Sequence, residues 1–275
     1  MKNDETVRMI RGIGYYLPKA MKFYNLKSEH LAPVIFLITL IFYFINGYII
    51  NGLLPNVMTT INEFIKIPNS ELANVTNYSK LLSVLLNSSV INLIISIITN
   101  FLVGIFTSIF LITCIKELKG EEFTLKNGFR LLANKFFKIA ISSLLFSLAY
   151  NILKIFFVIP GFIYYTIYIF YMCYALDLKK RVAGAFEASK EITKGHRMEI
   201  FSVVILFKII AFISVNFVTL FILSFITSIL SATNNNLVEI FVSAFMSSII
   251  YLMEIKLVAL IYFDIEYGWK PVEKL

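Results

Sequence analysis

The sequence predicts an all-α polytopic membrane protein with six transmembrane helices and basic amphipathic interfacial helices on one side. Three observations carry that expectation. Hydrophobic residues make up 59% of the 275 and charged residues only 15%, where soluble domains hold roughly 45–50% and 25%. The apolar residues come in long unbroken runs, and a water-soluble core of this size could not hide them. The cations are also distributed very unevenly between the segments that separate those runs.

Each run is read against a hydrocarbon core about 30 Å thick, which takes roughly 20 helical residues to cross. The first span covers about 31–54, with Pro33 in its opening turn, where a missing N–H costs little. A polar stretch rich in Asn, Ser and Thr follows from Pro55 to about Ser83. The second span covers about 84–115 and exceeds the need, so it tilts or starts late. The third covers 139–159, and Pro160-Gly161 is read as a tight turn into a fourth span at 162–178, because a single helix through both would overrun any bilayer. The fifth takes 200–230, Ser231 to Asn236 reverses the chain, and the sixth takes 237–263. Residues 1–30 form a basic amphipathic leading segment and 31–275 a single transmembrane domain. The leading segment carries charges throughout and no apolar core of signal-peptide length.

Orientation follows from Lys and Arg. The leading segment, the second-to-third and fourth-to-fifth connections and the tail hold twenty of them; the connections on the other side hold only Lys66 and Lys80. The positive-inside rule then puts both termini in the cytoplasm. The same rule accounts for the net charge of +8, and no recognition motif or basic soluble domain points to nucleic acid. Cys114 and Cys173 fall near cytoplasmic helix ends, which gives no disulfide framework.

Each cytoplasmic segment carries an amphipathic stripe just before an inward-to-outward span. The stripes are Val7, Ile10, Gly14, Leu17, Met21 and Tyr24, with Pro18 expected to break or kink that helix; Leu125, Phe129, Leu132 and Phe136; and Val182, Ala185, Phe186, Ser189 and Ile192. Basic amphipathic helices beside a span read as interfacial helices, apolar face down on the inner leaflet. A unit of surface helix plus two-helix hairpin would then occur three times.

Residues 159–201 carry a resemblance. Ile159-Pro160-Gly161, a Tyr-rich span, then Ser189-Lys190 and Lys194-Gly195-His196-Arg197 leading into Glu199-Ile200-Phe201 resemble a broad bacterial family of uncharacterised six-helix membrane proteins. That family is loosely related to the membrane domain of some glycerophosphodiester phosphodiesterases. The resemblance implies six helices and the bacterial cytoplasmic (inner) membrane, and no activity. Met198 stands where the family often has an aromatic residue.

Charges inside spans are the first functional candidates, because they are costly in lipid and face protein or water. Lys208 on the fifth span and Glu254 on the sixth lie at similar depth and could pair, while Lys256 points away from Glu254. The plain reading is a buried pair that fixes the last hairpin; the sharper one is a substrate or proton site. Tyr164, Tyr168, Tyr171 and Tyr174 share one face of the fourth span. They either pack or line a polar cavity with Asn46, Asn92, Asn100 and Asn216. Lys154, near the outer end of the third span, reads as a snorkelling side chain. Lys194, His196 and Arg197 sit at headgroup level, with Gly195 stopping the surface helix. With only His30 and His196 present, a His-based metal centre is not expected. The chain also lacks a HExxH helix, a phosphate-cradling Gly loop and a Gly-x-Ser-x-Gly elbow. The sequence therefore reads first as a non-catalytic membrane protein, without cofactor, that engages lipids (anionic headgroups among them) or a protein partner. The alternative is a small transporter or lipid flippase built around Lys208, Glu254 and the tyrosine face.

Overall fold

The computed structural model describes residues 10–28, 30–65, 75–156, 158–230 and 235–268. Every regular element among them is helical: α1 (Ile13–Met21), α2 (Leu31–Ile65), α3 (Val75–Leu118), α4 (Leu125–Asn134), α5 (Phe136–Phe156), α6 (Val158–Tyr168), α7 (Tyr171–Leu176), α8 (Val182–Ile192), α9 (Arg197–Leu230) and α10 (Asn235–Tyr267). Six stretches are long and apolar enough to cross a bilayer: Leu31–Gly52, Leu82–Leu118, Phe136–Lys154, Ile159–Leu176, Arg197–Ile222 and Leu237–Tyr267. The chain is a six-span integral membrane protein. In order along the chain, a short helix precedes two spans three times over, at α1, α4 and α8.

The spans close into a ring. Helix α2 packs on α3, α3 on α5, α5 on α6, α6 on α9, α9 on α10 and α10 back on α2, with α10 also reaching α3 across the middle. Small residues permit the closest approach: a Cβ on Gly104 of α3 would meet the Ser143 hydroxyl of α5 at 2.4 Å. Interfaces of this kind are how helices gain contact where lipid is as apolar as leucine. The outer surface keeps its large apolar side chains exposed, as at Leu37, Ile41, Phe212 and Phe217, which suits a hydrocarbon solvent.

Four boundary expectations are corrected. Helix α2 runs on to Ile65 and α3 begins at Val75, so much of the polar 55–83 stretch is helix extending past the apolar window. Residues 66–74 and most of the predicted 231–236 turn lie outside the described residues. Pro160-Gly161 is not the turn: both lie inside α6, with Pro160 in its first turn, where the N–H has no intrahelical partner to lose. Gly161 matters for approach, since a Cβ there would come within 3.0 Å of the Lys154 backbone. The fourth span is also not one helix, because it breaks at Ile169-Phe170 between α6 and α7.

That break strands backbone groups, and α8 satisfies them. The Ser189 hydroxyl accepts from Phe170 N at 3.1 Å and donates to Ile167 O at 3.0 Å. The Thr193 hydroxyl shares its proton between Ile167 O (3.3 Å) and Lys190 O (3.1 Å). Ser189, Thr193 and Ala185 have no exposed surface, and Phe186 stacks on Tyr171 at 4.9 Å. The expected stripe on α8 is therefore buried against the broken span. The other stripes are corrected further. On α1 the buried residues are Tyr16 and Ala20, whereas Met21 is 55% and Tyr24 68% exposed, and Val7 is outside the described residues. The helix continues through Pro18 and ends one turn later. On α4, Gly128 and Leu132 are buried, while Phe129 and Phe136 stay exposed.

The connections at the basic end are tied together. Asp177, just after α7, accepts from Lys119 Nζ at 2.6 Å, from Tyr262 Oη at 3.1 Å and from Tyr267 Oη, joining the ends of α3, α7 and α10. Burial works against the Lys119 charge, but its bonds to Asp177 and Tyr267 outweigh that and hold it above the ordinary lysine range. Tyr16 of α1 donates to Asp264 at 2.8 Å, and Lys256 Nζ donates to Lys22 O at 2.6 Å. Two contacts in opposite chain order place α1 alongside the end of α10, antiparallel to it.

Replacing Ser189 by Ala should lower the unfolding free energy by about 1–3 kcal/mol, the cost of leaving buried backbone groups unpaired. Thr193→Val should cost less, because the Ser189 proton still reaches Ile167 O. Thermal unfolding in detergent tests the order, and equal losses at the two positions would show that the break does not depend on Ser189.

Candidate functional site

Lys208 sits three turns into α9 and Glu254 in the middle of α10, two helices that pack on each other. The ring brings them together: Lys208 Nζ donates to Glu254 Oε1 at 2.6 Å. Tyr165 Oη of α6 donates to the same oxygen at 2.5 Å. The Lys208 ammonium also lies 4.9 Å from the centre of the Tyr165 ring. A carboxylate this deep, 8% exposed, needs a counter-charge and donors to stay ionised. Lysine supplies the first and the phenol adds a charge-assisted bond.

The pair is not sealed. It lines a cavity of about 290 Å³ to which all six spans contribute: Tyr43 from α2, Thr107 from α3, Ser143, Ser147 and Tyr150 from α5, Tyr165, Ile169 and Tyr171 from the fourth span, Lys208 from α9 and Tyr251 from α10. Hydroxyl groups from five of the spans, with Asn100 and Lys154, put polar groups in the interior where the perimeter has few. A second cavity of about 410 Å³, between α9 and α10, shares Tyr43, Lys208, Tyr251 and Glu254 with the first. Its rim includes Phe212, which is 70% exposed, so this cavity reaches the lipid-facing perimeter. A third, of about 260 Å³, shares Tyr43 and Ser247 with the second and extends past Asn46 to Glu239, near the start of α10. The three follow one another from the pair toward the end of the bundle opposite the basic connections.

The sequence-based candidates divide accordingly. Lys208 and Glu254 meet; Lys256 does not join them, and lines a separate recess of about 310 Å³ with Asn25, Cys114 and Glu117 at the basic end. Glu254 and Lys256 are two positions apart on α10, which turns their side chains in different directions. Tyr171 lines the central cavity, but Tyr164 and Tyr168 are absent from its wall. Their rings pack tilted against each other with centres 4.7 Å apart, and Tyr164 is likewise tilted against Phe146 and Tyr168 against Phe186. Tyr174 belongs to the basic end, where it donates to Glu266 at 2.6 Å. Asn100 Nδ2 donates to Asn151 at 3.4 Å, Asn46 and Asn216 line the outer cavities, and Asn92 accepts from Ser96. Lys154 is a wall residue of the central cavity. His196 Nδ1 lies 3.1 Å from Glu199 in the α8–α9 turn, beside Lys194 and Arg197. Gly195 there takes a φ of +97°, which glycine accepts without strain.

Sequence reasoning missed Tyr165, Tyr43, Tyr150 and Tyr251. The face that carries Tyr165 continues with Ile169 and Met172, both apolar, so helical periodicity gave no polar signal. The break at Ile169-Phe170 then resets the helical phase, which is why Tyr171 faces the cavity while Tyr164 and Tyr168 do not. Among the described residues no group of three His, Cys, Asp or Glu side chains could hold a metal ion, and Cys114 and Cys173 are buried free thiols. No family model, curated protein or solved structure matches the chain.

A double-mutant cycle at the pair should show strong coupling. Either Lys208→Met or Glu254→Leu leaves a charge unpaired and should cost about 3–5 kcal/mol. Glu254→Leu should cost more of the two, since it also strands the Tyr165 hydroxyl. The double variant should lose less than the sum of the singles in thermal unfolding. Strict additivity would mean that the two charges do not interact.

Proposed function

We propose that this protein is a small transporter whose intramembrane site is the Lys208–Glu254 pair, moving a polar solute or a lipid headgroup without covalent chemistry. One observation supports it: the buried pair stands where two cavities meet, the central one walled by hydroxyl side chains, inside a ring to which every span contributes. An architectural pair needs no cavity, and helices that only pack would close around it. The reading put first by the sequence, a non-catalytic protein engaging lipids or a partner, expects a sealed bundle. A transporter needs the opposite, a midplane site with polar walls in which charges have an exchangeable partner. The broken fourth span fits this role, because irregular backbone at membrane depth is tolerated only where it is buried in protein or lines a cavity. The proposed setting is the bacterial cytoplasmic membrane with both termini inside, supported by the cation bias and by the resemblance of residues 159–201.

Water in the cavities is the direct test. In a Cys114→Ala, Cys173→Ala background, Ser147→Cys and Ser247→Cys should react with a charged thiosulfonate, because the reactive thiolate forms only where water reaches. Ile213→Cys, 61% exposed on the perimeter of α9, should stay unmodified in the bilayer. Protected cysteines at both 147 and 247 would defeat the transport reading.

The same reagent tests orientation. Cysteines at Asn69 and Asn235 should be modified from outside intact cells, and those at Asn127 and Lys190 only after permeabilisation. Modification of Asn127→Cys from outside would reverse the proposed topology.

A further inference from the structure

The charges on the cavity walls say what kind of molecule the site can take. Resting on the transport reading above, we propose that the ligand is a zwitterion, carrying an ammonium and an anionic oxygen group on one small head. It inserts between Lys208 and Glu254, its ammonium on the carboxylate and its anionic group on the lysine.

Charge balance is the first reason. Where the two cavities meet, the ionised wall groups are Lys208 and Glu254, with Lys154 farther along the central cavity. A lone cation entering this space would leave two positive groups against one carboxylate. A lone anion would leave two negative groups against one ammonium. Each unbalanced charge at mid-membrane is costly. A zwitterion replaces one ion pair with two, so the junction between the two cavities, whose shared walls hold Lys208 and Glu254 and not Lys154, stays neutral both empty and filled, and neither of those two charges is ever left without a partner.

The second reason is the wall around Glu254. Tyr43, Tyr150, Tyr165 and Tyr251 all line the cavity that holds it, and aromatic faces together with a carboxylate make an ammonium site. The Lys208 ammonium already shows that arrangement, bonded to Glu254 at 2.6 Å with its nitrogen 4.9 Å from the Tyr165 ring centre. Lys208 is thus a tethered stand-in for the ligand's ammonium. Lys208 and Tyr165 both bond to Oε1, so Oε2 is placed to accept from the incoming group. When Lys208 swings off Glu254, its own ammonium becomes available to the ligand's anionic end. Its side chain is 29% exposed against 11% for Glu254, so it is the freer partner and the one that moves.

The third reason is size and access. The cavities of about 290 and 410 Å³ suit a head of a few heavy atoms. The second reaches the lipid-facing perimeter beside Phe212, while the third leads from it toward the bundle end at Glu239. The same head chemistry could therefore arrive on a lipid or as a free solute.

The experiment uses the full chain in nanodiscs of phosphatidylglycerol, which supplies no zwitterionic head. Calorimetric titration with 2-aminoethyl methyl phosphate, a phosphodiester with one negative and one positive charge, is compared with ethanolamine and dimethyl phosphate, each carrying one of its two charges. In parallel, native mass spectrometry scores retention of phosphatidylethanolamine against phosphatidylglycerol. The proposal expects 2-aminoethyl methyl phosphate to bind at least about tenfold more tightly than either half, the weight of one lost charge-assisted contact, or phosphatidylethanolamine to be retained selectively. The first result assigns a soluble source and the second a lipid source. Lys208→Met and Glu254→Gln should each reduce that binding by a similar factor. The Lys208→Met, Glu254→Leu double variant, which keeps no unpaired charge, should fold and not bind. Binding of ethanolamine or dimethyl phosphate as tight as that of the zwitterion overturns the proposal, as does a folded double variant that binds like the parent. The absence of both 2-aminoethyl methyl phosphate binding and phosphatidylethanolamine selectivity overturns it too. Thiosulfonate modification at 147 and 247 reports on the conduit independently, so a hydrated cavity that takes only cations would sink the zwitterion and leave the transport reading standing.

Discussion

Every polar group inside a bilayer has to find its partner within the protein, and this fold is arranged around the places where that demand is hardest to meet. Two such places lie close together. One is the Glu254 carboxylate, held by Lys208 and Tyr165. The other is the backbone break at Ile169-Phe170, held by Ser189 from α8. In water either would cost little, since solvent would complete the hydrogen bonds. In hydrocarbon each unsatisfied group costs several kcal/mol, so the partners must come from other helices. Glu254 draws α6 and α9 onto α10, and the break draws α8 against α6 and α7. The ring is therefore closed by polar contacts as well as by packing.

The short helices follow from the same demand. Helix α8 is amphipathic in sequence, yet its buried residues are Ala185, Ala188, Ser189 and Thr193, small or hydroxyl-bearing side chains that suit close contact with exposed backbone. Large apolar residues would serve a lipid surface better. Helix α1 uses Tyr16 in the same way, burying a ring and spending its hydroxyl on Asp264, and burial together with that bond raises the Tyr16 pKa, which keeps the phenol protonated. At the basic end Asp177 collects Lys119, Tyr262 and Tyr267 from two other elements. That end is cross-linked by charge-assisted hydrogen bonds, while the wall between α9 and α10 borders a cavity. A bundle tied at one end and open along one wall has its weakest seam beside the Lys208–Glu254 pair.

Particular residues show what could be read in advance. The pairing of Lys208 with Glu254 was legible because two isolated charges of opposite sign at similar depth on adjacent antiparallel helices have few other ways to be tolerated. Gly195 as a helix stop was legible because the demand for a left-handed residue is local. Pro160 misled because proline ends helices from their interior but is accepted in their first turn, and which applies depends on where the preceding helix has already stopped. The tyrosine face misled for a related reason: Tyr164, Tyr168 and Tyr171 share a face only if the helix is continuous, and it is not. Tyr165 carried no signal, since a single hydroxyl on an otherwise apolar face looks like packing until Glu254 is opposite it.

The sequence by itself determined the solvent and the number of crossings, because apolar run length and composition act through transfer free energy and need no partner. It also placed the cations at one end of the bundle, which is a property of segments and not of contacts. Beyond the Lys208–Glu254 pair, tertiary structure alone decided which polar side chains converge. A hydroxyl or carboxylate inside lipid is defined by what it bonds to, and its partners here come from helices distant in sequence: Tyr165 for Glu254, Ser189 for the broken span, Asp177 for Lys119. It also decided that a cavity remains around the pair, since an empty volume is a remainder left when six helices pack and no single helix encodes it.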